Sequence, residues 1–306
     1  MIGLTMKHLR YFDALARAGH FGRAAEACAI TQPALSIQIK ELETMLGAPL
    51  VERAVRNIHL TPLGEDFARR ATEILRAVDE LQDLARAAQG PLAGRLRVGV
   101  IPTVAPYLLP EMIKLIMSRF PELDLRLREA MTEVVIEDLL ESRLDMAIVA
   151  LPISEPALRE FALFSEDFVL VRPEADADKP VPSPKQLLEM RLLLLEEGHC
   201  FRDQALSFCE ASGSEPQNLM EGSSLSTLVQ MVGAGLGVTL IPEMALPLEI
   251  RSAAISVARF PDPRPSRSIG MVWRKTNPLQ DQLTEIGGVV RAAGSALGTL
   301  PDPKAE

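Results

Sequence analysis

The sequence predicts an α/β protein with an all-α N-terminal part. In the first 90 residues apolar side chains recur at three- and four-residue intervals, the helical period. From Arg95 onward short apolar runs alternate with helical stretches, the pattern of strand–helix units. Between the two lies Gly90-Pro91-Leu92-Ala93-Gly94, the one convincing interdomain break in the chain. A length of 306 residues suits about two domains.

Thr5 is placed to cap a first helix, Met6 to about Ala18, with Leu9, Phe12 and Leu15 or Ala16 facing inward. His20-Phe21 leads a short helix, Gly22–Cys28, whose Ala24, Ala25 and Ala27 allow close packing; Cys28 reads as a packing residue. Ala29-Ile30 is a tight turn. Thr31 caps a third helix with Pro33 in its first turn, where proline is tolerated, and Gly47 ends it. The core stripe of this helix is Leu35, Ile39, Leu42 and Leu46. Short helix, tight turn and helix in this order make a helix-turn-helix. On the flank away from the stripe stand Gln32, Ser36 and Lys40 at i, i+4 and i+8, groups suited to base edges and phosphates. The same spacing also describes an ordinary solvated helix face.

Thr61-Pro62 is a cap followed by an N1 proline and starts a helix to about Gln89. Phe67, Ala71, Ile74, Val78, Leu81, Ala85 and Ala88 alternate steps of four and three, a coiled-coil seam that predicts a dimer. After the break, strands are expected at Leu96–Ile101, Leu123–Arg128, Met146–Val149, Val169–Val171, Leu192–Leu195, Gly237–Ile241 and Ser268–Val272. Helices are expected over Pro106–Arg119, from a Thr132 cap to about Glu141, from Cys200 through Glu210, from Ser223/Ser224 to Ala234, and over Asn277–Ala296. Such alternation predicts parallel sheets. The return to the first unit near Arg267 predicts two lobes, about 95–166 with 268–300 and about 167–267, joined by two crossing strands with a cleft between. Asp302–Glu306 reads as a polar tail.

Within the second lobe, four leucines (Leu192–Leu195) lead through Glu196-Glu197-Gly198-His199 into a helix opened by Cys200. A thiol at a helix N-terminus meets free N–H groups and the positive end of the dipole, which favour thiolate; Arg202 and His199 are placed to add positive potential. Cys209 follows nine residues later. In a continuous helix that is a rise of ~13.5 Å and a turn of about 900°, which puts the two side chains on opposite faces. A disulfide needs Cα atoms within ~7 Å, so joining these thiols means melting the helix between them.

Composition narrows the function classes. There is no run of 18 apolar residues and no signal peptide, so no membrane span or export is expected. Three cysteines rule out a disulfide scaffold and suit the reducing cytoplasm. The net charge of −9 falls wholly on residues 91–306; residues 1–90 carry 11 basic and 11 acidic side chains. DNA binding therefore rests on motif and not on charge. His199, Cys200 and Cys209 lack metal-ligand spacing, so no metal site is expected. There is no GxSxG, GxGxxG or Walker A motif, so neither a hydrolase, a cofactor nor an enzyme is expected.

Two stretches carry a resemblance. Ala24-Ala25, Thr31-Gln32-Pro33-Ala34-Leu35-Ser36, Ile39-Lys40-Glu41-Leu42-Glu43, Leu46-Gly47, Leu50-Val51-Glu52-Arg53 and Leu60-Thr61-Pro62-Leu63-Gly64 closely resemble the N-terminal signature of the LysR-type transcriptional regulators. Gly198-His199-Cys200-Phe201-Arg202-Asp203-Gln204-Ala205 with Cys209 resembles the peroxide-sensing segment of one subgroup of that family. The resemblance implies a winged helix-turn-helix over 1–62, a linker and dimerisation helix over 63–90, and a two-lobed regulatory domain over 91–306 similar to periplasmic binding proteins. The wing would be Pro49–Glu52 and Ile58–Thr61, with Arg53 and Arg56 near the phosphates and Asn57 where many relatives carry a base. It also implies a peroxide pocket of Cys200, Thr103, Thr132, His199 and Asp203. Hydrogen peroxide would oxidise Cys200, Cys209 would close the disulfide, and a homodimer or homotetramer would change its contacts with promoter DNA and RNA polymerase. Thioredoxin or glutaredoxin would reverse the change. Two other classes remain open. One is a regulator answering a small organic effector in the cleft, with Ser223, Ser224 and Thr103 as ligands; the other is a thiol peroxidase.

Overall fold

The computed structural model describes residues 3–53, 58–87, 94–210, 218–251, 253–298 and 300–301. They form two compact units that divide between Ala85 and Arg86. The break at 90–93, the wing tip with Arg56 and Asn57, Ala88 and the tail from Asp302 lie outside the described residues.

In the first unit, α1 (Met6–Ala18) is fixed by a reciprocal cap. Thr5 Oγ1 accepts from the His8 amide, and His8 Nδ1 accepts from the Thr5 amide. Helix α2 (Phe21–Ala27) begins a residue earlier than expected because the His20 ring is the cap, its Nδ1 accepting from Gly22 N at 3.0 Å. Helix α3 (Gln32–Leu46) has Thr31 as its cap and left-handed Gly47 at its end. Phe12, Leu15, Ala24, Ala25, Leu35, Ile39 and Leu42 are all buried in the core these helices share. Strands β1 (Val51–Arg53) and β2 (Ile58–Leu60) pair antiparallel, Val51 opposite Leu60.

Helix α4 (Pro62–Ala87) follows. Gly64 in its first turn is obligatory, since a Cβ there would lie 2.0 Å from the Leu50 carbonyl oxygen. The N-terminal end of the α4 seam packs inward: Phe67 meets Phe12 edge-on at 5.3 Å and Ala71 is buried. Further along, Ile74 and Leu81 are 45% and 65% exposed.

The second unit contains β3 (Gly94–Val100), α5 (Ala105–Arg119), β4 (Leu123–Glu129), α6 (Thr132–Leu140), β5 (Met146–Leu151), β6 (Leu158–Pro173), α7 (Pro184–Glu189), β7 (Arg191–Leu195), α8 (Cys200–Glu210), β8 (Asn218–Gly222), α9 (Leu225–Gly233), β9 (Val238–Pro242), α10 (Leu246–Glu249), β10 (Ile255–Arg259), β11 (Ser266–Arg274), α11 (Gln280–Ala296) and β12 (Leu300–Pro301). The strands run β4-β3-β5-β11-β6-β9-β7-β8, with β10 and β12 pairing off β6. Within each half the strand–helix units give parallel pairs, β3 with β4 and β5, β7 with β8 and β9.

The expectation of parallel sheets holds within each half and fails at the crossings. There β11 runs antiparallel to β5 and β6, and β6 antiparallel to β9 and β10. Chain that passes between lobes without a crossover helix returns in the opposite sense. Strand β6 is 16 residues long, where only Val169–Val171 had been expected. Its first part, up to Asp167, pairs with β11, and from Phe168 it pairs with β9. A hydrogen bond from Tyr107 Oη on α5 to Glu249 Oε1 on α10, 2.8 Å, adds a tie between the lobes.

Candidate functional site

The site is built where β7 ends. Leu192–Leu195 are buried, and the chain leaves the sheet through Gly198, whose φ of +92° belongs to glycine. That turn buries His199 and delivers Cys200 to the first position of α8, half-buried and reduced. Cys200 borders two spaces. Inward is a tight pocket, too closed in this form to admit a water molecule, lined also by Ile101, Pro102, Thr103, Met131, Thr132, Gly198 and His199. Outward is a groove of about 650 Å³, open to solvent and bordered by α6, the Ala150–Ile153 segment and the first turn of α8.

The cavity wall is polar in a specific way. Thr132 Oγ1 and His199 Nε2 are both buried without a hydrogen-bond partner, an arrangement costly unless something polar enters. Burial pushes the His199 imidazole below its usual range, against the smaller pull of Glu196 upward, so the ring is neutral at pH 7. Thr132 had been expected to cap α6. Instead Met131 occupies the cap position without a side-chain hydrogen bond, and Thr132 is the first helical residue. Its hydroxyl is left to the cavity.

Thr103 is held from behind. Arg267 Nη1 donates to Thr103 Oγ1 at 2.8 Å and Nη2 to the Thr103 carbonyl at 3.0 Å. Arg267 is fully buried and paired with Glu166 at 2.8 Å; its guanidinium lies 5.2 Å from the centre of the Phe201 ring. Phe201 in turn meets Phe168 edge-on at 4.8 Å. Reading the sequence missed both Arg267 and Glu166. The available signal was an Arg and a Glu placed within the two crossing strands, where a charge is buried only if paired.

Four of the five expected pocket residues, Thr103, Thr132, His199 and Cys200, therefore surround one cavity. Asp203 does not: it is exposed in the first turn of α8 and borders the outer groove. The positive charge expected from Arg202 and His199 is engaged elsewhere or missing. Arg202 is committed to the Leu195 carbonyl and Glu221, and His199 is neutral. What remains is the N-terminus of α8 itself. Cys209 is completely buried in the last turn of the same unbroken helix, ~13.5 Å along its axis from Cys200. Ser223 and Ser224 border neither space; Ser224 Oγ caps α9 by accepting from Thr227 N.

On α3, Gln32, Pro33 and Lys40 are exposed and Ser36 half-buried along one flank, joined by Ile37 at 58% exposure. Arg53 lies at the end of β1, while Arg56 is outside the described residues. Among the described residues no helix is long and apolar enough to cross a membrane. No group of three His, Cys, Asp or Glu among them is disposed to hold a metal.

Comparison with known proteins agrees along the chain. Residues 6–65 match the bacterial regulatory helix-turn-helix protein, lysR family, and residues 89–294 match the LysR substrate binding domain. A probable hydrogen peroxide-inducible genes activator of Streptomyces viridosporus is 42% identical over 294 residues, 94% of each chain. A full-length OxyR variant of Pseudomonas aeruginosa superposes with a TM-score of 0.73 at 35% identity, covering 94% of this chain and 95% of that one. A hydrogen peroxide-bound OxyR mutant of Corynebacterium glutamicum gives a TM-score of 0.67 at 34% identity, covering 96% and 93%.

Proposed function

Because this chain belongs to the LysR family of bacterial transcription regulators, and within it to the OxyR group of peroxide-sensing activators, we propose that peroxide enters the cavity beside Cys200 and that the Cys200–Cys209 disulfide is the switch. The observation that carries this reading is the pairing of a half-exposed thiol with two unpartnered buried polar atoms, Thr132 Oγ1 and His199 Nε2, around one tight pocket that must open slightly to admit a small polar molecule.

The Cys200 thiolate attacks one peroxide oxygen. An S–O bond forms as the O–O bond breaks, the sulfur loses two electrons, and the departing hydroxide takes a proton and leaves as water. The Thr103 and Thr132 hydroxyls and the neutral His199 ring hydrogen-bond the peroxide and its leaving oxygen, while Asp203 acts from the outer rim. The Cys209 thiol then attacks the sulfenic sulfur, the S–S bond forms and a second water leaves. Helix α8 cannot persist through that step, so it unravels.

The rest of the reading follows from that event. Gln32, Pro33, Ser36 and Lys40 on α3, with Arg53 and Arg56 of the wing, contact operator DNA. The exposed seam of α4 pairs two chains through Ile74 and Leu81, and a rearranged second unit respaces the paired helix-turn-helix units within a dimer or tetramer. RNA polymerase is the downstream partner, thioredoxin or glutaredoxin the reductant, and the cytoplasm the compartment. The 1–62, 63–90 and 91–306 divisions are accordingly the DNA-binding, dimerisation and sensing parts. Non-reducing peptide mapping after brief, low-dose peroxide tests this. One new crosslink between the Cys200 and Cys209 peptides is expected, and Cys200→Ser and Cys209→Ser variants that both still answer peroxide refute it.

A further inference from the structure

We propose that Glu166 is a positioning residue for the peroxide reaction, acting through Arg267 to make the Thr103 hydroxyl a hydrogen-bond donor aimed into the cavity beside Cys200. The inference rests on the peroxide reading above and adds to it a residue outside the cavity.

The chemistry is one of hydrogen-bond polarity. A guanidinium has five N–H donors and no acceptor. When Arg267 Nη1 donates to Thr103 Oγ1 at 2.8 Å, the threonine oxygen is the acceptor, and its own hydrogen must go elsewhere. That hydroxyl makes no other hydrogen bond among the described residues, and Thr103, 2% exposed, borders the cavity. The free O–H is thus available to peroxide oxygen, where a donor is needed as negative charge builds on the leaving atom.

What keeps Arg267 in that pose is Glu166. Arg267 Nε donates to Glu166 Oε1 at 2.8 Å and Nη2 lies 2.8 Å from the same oxygen, while Glu166 Oε2 accepts from the Met244 amide at 3.2 Å. The carboxylate is therefore gripped by both β11 and the segment after β9, and the arginine fork is held from one side by Glu166 and from the face by Phe201. Glu166 also neutralises a buried cation that packs against the residue next to Cys200. Removing its charge should disturb the Thr103 donor while leaving more positive potential near the thiol. The two reactions of Cys200 should then separate, since alkylation needs only thiolate and peroxide needs thiolate and donor together.

The test uses the full-length reduced protein. For Glu166→Gln, peroxide oxidation of Cys200, followed by quenched-flow mass spectrometry, is expected to slow at least tenfold, with the rate of iodoacetamide alkylation unchanged or higher. In a Thr103→Val background the same substitution should slow peroxide less than twofold further, because both act on one hydroxyl. A peroxide rate within twofold of wild type, equal losses in both reactions, or losses that multiply in the double variant would overturn the proposal. Should Glu166→Gln fail to fold by circular dichroism, Glu166→Asp keeps the charge with a shorter reach and should give a smaller peroxide loss with alkylation intact; parallel losses overturn the proposal there too. Failure of the underlying reading is separately visible, as wild type that does not form the Cys200–Cys209 crosslink.

Discussion

Phe201 offers a way to test whether α8 comes apart on oxidation, as proposed. In the reduced chain its ring is buried, edge-on to Phe168 at 4.8 Å and beneath Arg267 at 5.2 Å. It is the residue next to Cys200, so bringing Cys200 towards Cys209 pulls it from that seat. Truncating a well-packed Phe to Ala costs roughly 3–5 kcal/mol, cavity term included. If the ring has already left its seat in the oxidised form, Phe201→Ala charges this cost to the reduced form alone. A conservative 3 kcal/mol then makes the disulfide harder to reduce, and at about 1.4 kcal/mol per 30 mV the potential should move about 65 mV more negative. Equilibration of the purified protein in glutathione buffers, scored by the fraction of Cys200–Cys209 crosslink, reads this directly. A potential within 10–15 mV of wild type (about 0.5–0.7 kcal/mol by the same conversion) would show that Phe201 keeps its packing in both states, and the requirement that α8 unravel would fall.

Three further predictions can be checked with the same protein. Thr132→Val should slow peroxide oxidation of Cys200 by one to two orders of magnitude, the range of a lost positioned donor, yet leave the urea midpoint unchanged or slightly raised, since the hydroxyl has no partner to lose. His199 has a folded-state pKa pushed below the ordinary 6.5 by burial, so below that pH the unfolded chain binds the proton that the folded one refuses; stability is full above 6.5 and declines as pH falls towards the folded value. Urea midpoints from pH 7 to 5 should fall less steeply in His199→Gln, and equal slopes would contradict the assignment. Finally, Leu81→Glu, with Ile74→Glu as its companion, should weaken self-association through α4 in sedimentation equilibrium without changing the monomer's helix content by circular dichroism.

The legible parts of this fold are those whose causes are local. Thr5 and Thr31 as caps, Gly47 as terminator and Cys200 as the opening of α8 are each decided within a turn of chain, and the structure places them as the spacing implies. The family could likewise be read from contiguous motifs. Thr132 misled because a threonine ahead of an apolar run looks like a cap whether or not the preceding residue takes that role, as Met131 does. The first half of β6 went unread because Arg159, Glu160 and Glu166 interrupt its apolar pattern, and its strand state is decided by β11 about 100 residues away. Glu166 and Arg267 share that fate: a pair separated by 101 positions leaves no local trace. Helix α7 is different, for Ser183-Pro184 followed by Gln186 is a capping box that the residues themselves advertise.

Strand β6 has a mechanical consequence. Its sixteen residues serve as rib to both halves of the second unit, and its neighbours stitch it along nearly the whole length, with one register shift against β11 between Ile269 and Gly270. A plate ribbed in this way resists swinging open like a jaw, which is how a clamshell receptor reports its guest. If oxidation unravels α8 as proposed, the rib stays in place and the surface is redrawn instead. News of an oxidised sulfur would then leave this protein as an altered outer contour offered to its neighbours.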